Sequence, residues 1–150
     1  MEPVLIRPIT TAEILDEHAL VAEYVSESAI AGLPAPQPSR KIYAMIEATG
    51  ALQALGAFIG DRLVGFAVLL VSVNPHYGVP LGVTESLFVA SAYRKRGVGL
   101  KLLRAVEAAA GNAGAEGLLV SSGIDSQLDA VLARLHHYRP TNRAYFRGLA

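Results

Sequence analysis

Apolar positions recur along the chain with two periods, and the changes of period divide it into elements. Val4-Leu5-Ile6-Arg7-Pro8-Ile9 predicts a short first strand. Thr10 stands three residues ahead of Glu13, the spacing of a capping box, and an amphipathic helix follows from Ala12 to about Ser28. Ile14, Leu15, Val21 and Val25 form its inward stripe, while Glu13, Asp16, Glu17, Glu23 and Glu27 read as a solvated face. Pro34, Pro36 and Pro38 forbid a helix and predict a loop. Ser39 then caps a second helix through Arg40, Ile42, Met45 and Ile46, ending near Gly50.

Two strands are predicted at roughly 51–59 and 63–73, joined at Gly60-Asp61-Arg62 by a hairpin turn. The second is apolar at almost every position, the pattern of a central strand covered on both faces. After a turn-rich loop at 74–80, Gly82 to Ala90 predicts a strand. Period two puts Val83, Glu85, Leu87 and Val89 on one face and Thr84, Ser86 and Phe88 on the other. Leu102, Leu103, Val106, Ala109, Ala110 and Ala113 mark the buried stripe of a helix from Leu100 to Ala113. Leu118-Leu119-Val120-Ser121 predicts a further strand and Asp125 to His136 a further helix. One or two closing strands follow over Tyr138 to Phe146, interrupted by Pro140-Thr141-Asn142. The order β-α-α-β-β-β-α-β-α-β predicts an α/β fold, mixed in the α+β sense, with helices on both faces of the sheet.

Composition narrows the class. The chain has 150 residues, 52% hydrophobic and 17% charged, enough apolar material for one domain over 1–150 with a single core. Thirteen basic and thirteen acidic side chains cancel, which argues against nucleic acid as a partner. With no cysteine, disulfides and thiolate metal sites are excluded, and no metal is expected. Met1-Glu2-Pro3-Val4 lacks the pattern of a signal peptide, and the apolar stretch Leu63 to Val71 falls far short of the ~20 residues that span a bilayer. No membrane role and a cytoplasmic location are therefore expected.

Charge is uneven between residues 86 and 106. Arg94, Lys95, Arg96, Lys101 and Arg104 occur with no acid between Glu85 and Glu107, and Gly97 and Gly99 stand where a helix begins. A helix N-terminus offers unpaired N–H groups to an anion, and glycine lets a phosphate approach the backbone. The dinucleotide pattern G-x-G-x-x-G fails because Leu102 occupies its last position, and the P-loop pattern is absent.

Arg94-x-x-Gly97-x-Gly99 resembles the coenzyme-binding motif R/Q-x-x-G-x-G/A of the GNAT acetyltransferase superfamily. The upstream Leu87-Phe88-Val89, Tyr93 before the first arginine, and the Leu-rich helix with its following strand share the likeness, which is strong from about residue 83 to 122. The resemblance implies a mixed, mostly antiparallel sheet of six to seven strands and an N-acetyltransferase that uses acetyl-CoA. It assigns the coenzyme to Leu87, Phe88, Val89, Arg94, Lys95, Arg96, Gly97, Val98, Gly99 and Leu100. Backbone of Phe88 and Val89 would contact the pantetheine arm, with Arg94 to Gly99 around the pyrophosphate. Lys101 and Arg104 lie further along the helix and read as surface. The acceptor is expected to be an amine of a small molecule or peptide, bound near residues 24–46 by a region holding Glu23, Tyr24, Glu27, Tyr43 and Glu47. Dimers are common in the family, so a homodimer is an open alternative to a monomer.

The reaction needs a base, oxyanion donors and an acid for the departing thiolate. Glu85, the one carboxylate between Asp61 and Glu107, is the candidate base, with His76 second. The position at which many family members carry an acidic tyrosine falls on Ala133, so Tyr138, Tyr145 or a water substitutes, or no dedicated acid exists. Tyr138 is the residue assigned. That departure keeps a second reading open, a degenerate coenzyme A-binding or structural protein without acetyl transfer.

Overall fold

In the computed structural model residues 2–149 are described; Met1 and Ala150, the ends of the expected 1–150 domain, lie outside them. A five-stranded sheet runs in the order β1-β2-β3-β4-β5. Its strands are β1 (Val4–Ile9), β2 (Leu52–Ile59), β3 (Arg62–Asn74), β4 (Val79–Val89) and β5 (Leu118–Leu119). The first four are antiparallel and β5 lies parallel to β4. Helices α1 (Thr11–Asp16), α2 (His18–Ser28) and α3 (Arg40–Ala48) precede β2, α4 (Val98–Asn112) joins β4 to β5, and α5 (Gln127–Arg134) follows.

The fold class is as expected, with helices on both faces. One face buries Val98, Leu102, Val106 and Ala110 of α4 against Leu55, Ala57, Ala67, Leu69 and Val89 of the sheet. The other buries Ile14 and Leu20 against Ile9, Leu52, Phe66, Val68 and Phe88. Strand β3 is buried on both sides from Leu63 to Leu69, which explains its unbroken apolar run.

Three expectations are corrected. The sheet has five strands rather than six to seven. Residues 139 to 149 are all exposed and form no strand, because they bury no apolar face and Pro140 cannot donate to a ladder. The helix expected over 12–28 is two, divided at Glu17, whose φ of −86° and ψ of 75° are not helical. Thr10 and Glu13 do form the capping box that starts α1. No helix among the described residues is long and apolar enough to cross a membrane.

Candidate active site

The strand β4 leads into a 3-10 turn, Ser91–Arg96, and then into Gly97, where the chain turns to begin α4. Gly97 has φ 74° and ψ 9°. A left-handed backbone costs a residue with a Cβ about 1–2 kcal/mol, so glycine starts this helix without strain. No protein atom lies within 4 Å of where a Cβ on Gly97 would stand, and only Val89 Cγ2, at 3.8 Å, approaches that of Gly99. Helix α4 has no side-chain cap, and the Lys101 N–H bonds back to the Gly97 carbonyl at 3.1 Å. The amides of Gly99 and Leu100 are thus first-turn donors at the partly exposed start of α4, with the positive end of a 15-residue helix behind them. Val98 itself is fully buried and anchors the turn. Lys95 and Arg96 are exposed, and the Arg96 guanidinium stacks over the Tyr93 ring at 5.2 Å. Amide donors, exposed cations and space in front of glycine suit a diphosphate.

Arg94 does something different from its neighbours. Its side chain turns inward over the Phe88 ring, donates from Nε to the Val89 carbonyl at 2.8 Å, and pairs with the Glu27 carboxylate. The hydrogen bond to Glu27 raises the guanidinium pKa above its already high ordinary value. Glu23, one turn earlier on α2, accepts the Ser91 N–H at 2.7 Å, and this bond lowers its pKa below the usual carboxylate range. The acids expected to form a solvated face of α2 therefore staple that helix to the turn before α4.

The second part of the site is the edge of β4. It pairs with β5 only at Gly82–Leu118 and Val83–Leu119. Ser121 N–H then bonds to the Thr84 hydroxyl, 3.2 Å away, instead of to a strand carbonyl. From Glu85 to Val89 this edge has no strand partner among the described residues. The Ala90 N–H donates to the Val64 carbonyl at 2.9 Å, in the same register that pairs Phe88 with Phe66. By alternation the main-chain groups of Phe88 face β3, while those of Leu87 and Val89 face the open edge. Arg94 occupies the Val89 carbonyl, which leaves the Leu87 N–H and C=O and the Val89 N–H. The expectation that Phe88 offers its backbone to the edge is corrected by this register. Its ring is core, packed edge-on to Tyr24 at 5.5 Å and 6.0 Å from Phe66.

Glu85 lies where these parts meet. The register passes from Val68–Ser86 to Leu69–Thr84, so Glu85 is the extra residue of a β-bulge. Period two had put it on the face of Leu87 and Val89; the bulge turns it to the other face, toward α3. There its Oε1 accepts the Tyr43 hydroxyl proton at 2.6 Å. Burial, then the hydrogen bond to Glu85, raises the Tyr43 phenol pKa well above 10. Burial chiefly raises that of Tyr24, which stands near Ser86 on the same face. Glu85 is exposed at the side of a cleft of about 320 Å³ between α3 and the sheet. Tyr43, legible from the sequence only as part of the acceptor region, is the hydrogen-bonded neighbour of Glu85. Its signal was its helical phase, one residue from Ile42 and three from Ile46.

Tyr138 lies beside α4, on the opposite side of the sheet from Tyr43. Its hydroxyl donates to Glu107 at 2.7 Å, and burial with this bond raises the phenol pKa. The structure thus does not bring Tyr138 into contact with Glu85. Tyr145 is 88% exposed. His76 sits in the β3–β4 turn with its N–H on Asn74 Oδ1 at 2.9 Å and its ring against Tyr77, outside the cleft lining. Glu47 is committed to the N–H and hydroxyl of Thr11, at 2.9 and 2.7 Å. No cluster of three or more metal-ligating side chains occurs among the described residues.

A mixed sheet that splays beside a glycine-started helix offers an open strand edge that ends at a place suited to a diphosphate. The Acetyltransferase (GNAT) family model matches residues 18–136, and the chain belongs to that family. It is an acetyl-CoA-dependent acyltransferase, with acetyl-CoA as co-substrate.

Solved structures share the fold at low identity. The aminoglycoside acetyltransferase meta-AAC0020 from an uncultured soil metagenomic sample, in complex with sisomicin, aligns with TM-score 0.75 and 15% identity over 98% of this chain and 97% of that one. Aminoglycoside N-acetyltransferase AAC(6')-Iy in complex with CoA gives 0.74 and 18%, covering 98% and 95%. Ribosomal-protein-alanine N-acetyltransferase from Brucella melitensis biovar Abortus 2308 gives 0.69 and 17%, covering 97% of each. No curated protein matches the chain by sequence.

Proposed function

We propose that the chain, acting as one domain over 1–150, moves the acetyl group of acetyl-CoA directly to a primary amine of a small molecule or peptide, with Glu85 as general base. The ammonium proton passes to Glu85 directly or through one water, the freed amine nitrogen attacks the thioester carbonyl carbon, and the C–S bond breaks to release the coenzyme A thiolate, which takes up through water the proton lost by the new amide nitrogen. The observation that carries this reading is the position of Glu85. It is exposed on the bulge, at the inner end of the open β4 edge and beside the cleft. The Leu87 and Val89 amides are suited to the arm and to the developing oxyanion, and those of Gly99 and Leu100 to the diphosphate.

Tyr138, its hydroxyl given to Glu107 beside α4, is not placed to serve the sulfur directly, and a thiol pKa near ~8.5 leaves the departing thiolate little need of a dedicated acid, so water fills that role. A cytoplasmic setting, where acetyl-CoA is made and used, completes the proposal. The test is Glu85→Gln, assayed by thiol release with a good acceptor. A base contributes roughly 10²–10⁴-fold, so kcat should fall by that order while the Kd for coenzyme A stays put. Near-wild-type turnover would move the role to His76 or a water chain. Coenzyme binding without turnover on any amine would favour the degenerate binder.

A further inference from the structure

The cleft beside Glu85 has an unusual balance of charge for a site that must bind an ammonium. Ile42, Tyr43 and Ile46 of α3 face Leu52 and Leu70 of the sheet across it, with Gln37, Pro38 and Ser39 at one end, and Glu85 is the one charged group in its lining. Its volume, about 320 Å³, is at the lower end of the ~300–1,000 Å³ usual for small-molecule sites. Ile42 is 59% exposed at the cleft, apolar surface with nothing laid over it.

Of the acids on and between α1, α2 and α3, all but the exposed Glu17 are engaged elsewhere, and none of them lines the cleft. Glu13 holds the Thr10 N–H at 2.7 Å and Asp16 pairs with Arg40 at 2.6 Å. Glu23 holds Ser91, Glu27 holds Arg94, and both Glu47 oxygens are on Thr11. A ligand with several ammonium groups would find one carboxylate and otherwise hydrocarbon and the neutral groups of Gln37, Ser39 and Tyr43, so all but one of its charges would lack a counter-ion. A ligand with one ammonium and a hydrocarbon body meets one carboxylate and an apolar wall.

On the reading of the chain as an amine acetyltransferase, we infer that its acceptor is a small primary amine with a single positive charge on an alkyl or arylalkyl body. Polycationic sugars of the kind bound by some fold neighbours, and peptide N-termini with their polar backbone, do not match this cleft. Ile42 sets the preference at the exposed wall, and Glu85 receives the ammonium.

The experiment measures kcat/KM for thiol release from acetyl-CoA by the full chain with 2-phenylethylamine and hexylamine, with the diamine 1,6-diaminohexane, with sisomicin, and with an alanine-terminated hexapeptide. The monoamines should exceed sisomicin and the peptide at least ten-fold. Ile42→Asp, a substitution at an exposed helix position, should lower kcat/KM for hexylamine and raise the diamine-to-monoamine ratio about ten-fold. Faster turnover of sisomicin or the peptide than of the monoamines, or an unchanged ratio in Ile42→Asp, overturns the inference and leaves the transferase reading intact. Coenzyme binding with no thiol release from any of these amines overturns both.

Discussion

Tyr43 donates its hydroxyl to Glu85 at 2.6 Å, and burial keeps that phenol protonated far beyond the neutral range. Its raised pKa gives a definite sign. Stability from the neutral phenol is full below the unfolded value of about 10 and is lost as pH rises through the higher folded value. Across the working range the hydroxyl is therefore a permanent donor to the carboxylate. Tyr43→Phe should accordingly lower kcat by about ten-fold, the loss of a charge-assisted hydrogen bond of ~1.5 kcal/mol that holds the carboxylate in place. The acetyl-CoA KM should stay near wild type. An unchanged kcat would mean that Tyr43 only packs. Tyr138→Phe should cost less than about ten-fold in kcat, since thiolate protonation is the easiest proton transfer in the reaction. Glu85 was legible in the sequence as the lone acid of its region, but its direction was not. A bulge made of ordinary strand residues carries no local mark, so period two gave the wrong face.

At the scale of elements, two glycines two residues apart do different work, and substitution should separate them. Gly97 needs its left-handed φ of 74°, although nothing crowds it. Gly99 is helical and open on the side where its Cβ would stand. Gly97→Ala should therefore destabilise the fold by about 1–2 kcal/mol. Gly99→Ala should leave the melting temperature unchanged or raise it, since alanine in a helix gains up to ~1 kcal/mol over glycine. Both should weaken coenzyme A binding, Gly99→Ala by placing a methyl group in the phosphate's path. A Gly99→Ala protein with wild-type Kd, measured calorimetrically, would remove the diphosphate from this turn. The motif's spacing was readable because helix N-terminus and glycine are local properties. The staple from α2 was not, because Glu23 and Glu27 meet Ser91 and Arg94 across 68 and 67 residues of chain. Read from their own helix, those acids looked like solvent-facing charge. The same limit explains the closing strands expected at 138–146, whose apolar residues have strand character but find no buried partner.

For the whole molecule, the ordering of the sheet is what joins the local features into one site. β3 and β4 pair over most of their lengths, whereas β4 and β5 part after two residue pairs, so the open edge is built into the connection through α4. A ligand in that gap touches α4 at one end, the β4 edge along its length and the α3 face at the bulge, elements that separate when the chain unfolds. It therefore binds the folded state alone and stabilises it by mass action, by about 2.7 kcal/mol at 100 times its Kd. For a domain of this size each kcal/mol raises the melting temperature by about 2–4 °C, so saturating coenzyme A should give a shift of roughly 5–10 °C. ATP and NAD carry phosphates but no pantetheine arm, and neither nucleotide fingerprint is present in the chain. At equal concentration they engage the helix terminus and leave the β4 edge empty, so their shifts should be a small fraction of that of coenzyme A. Thermal melts with the three ligands decide the matter. Equal shifts would reduce the basic turn to a general phosphate trap, whereas a large shift confined to coenzyme A requires the arm, and with it the unpaired edge that ends at Glu85.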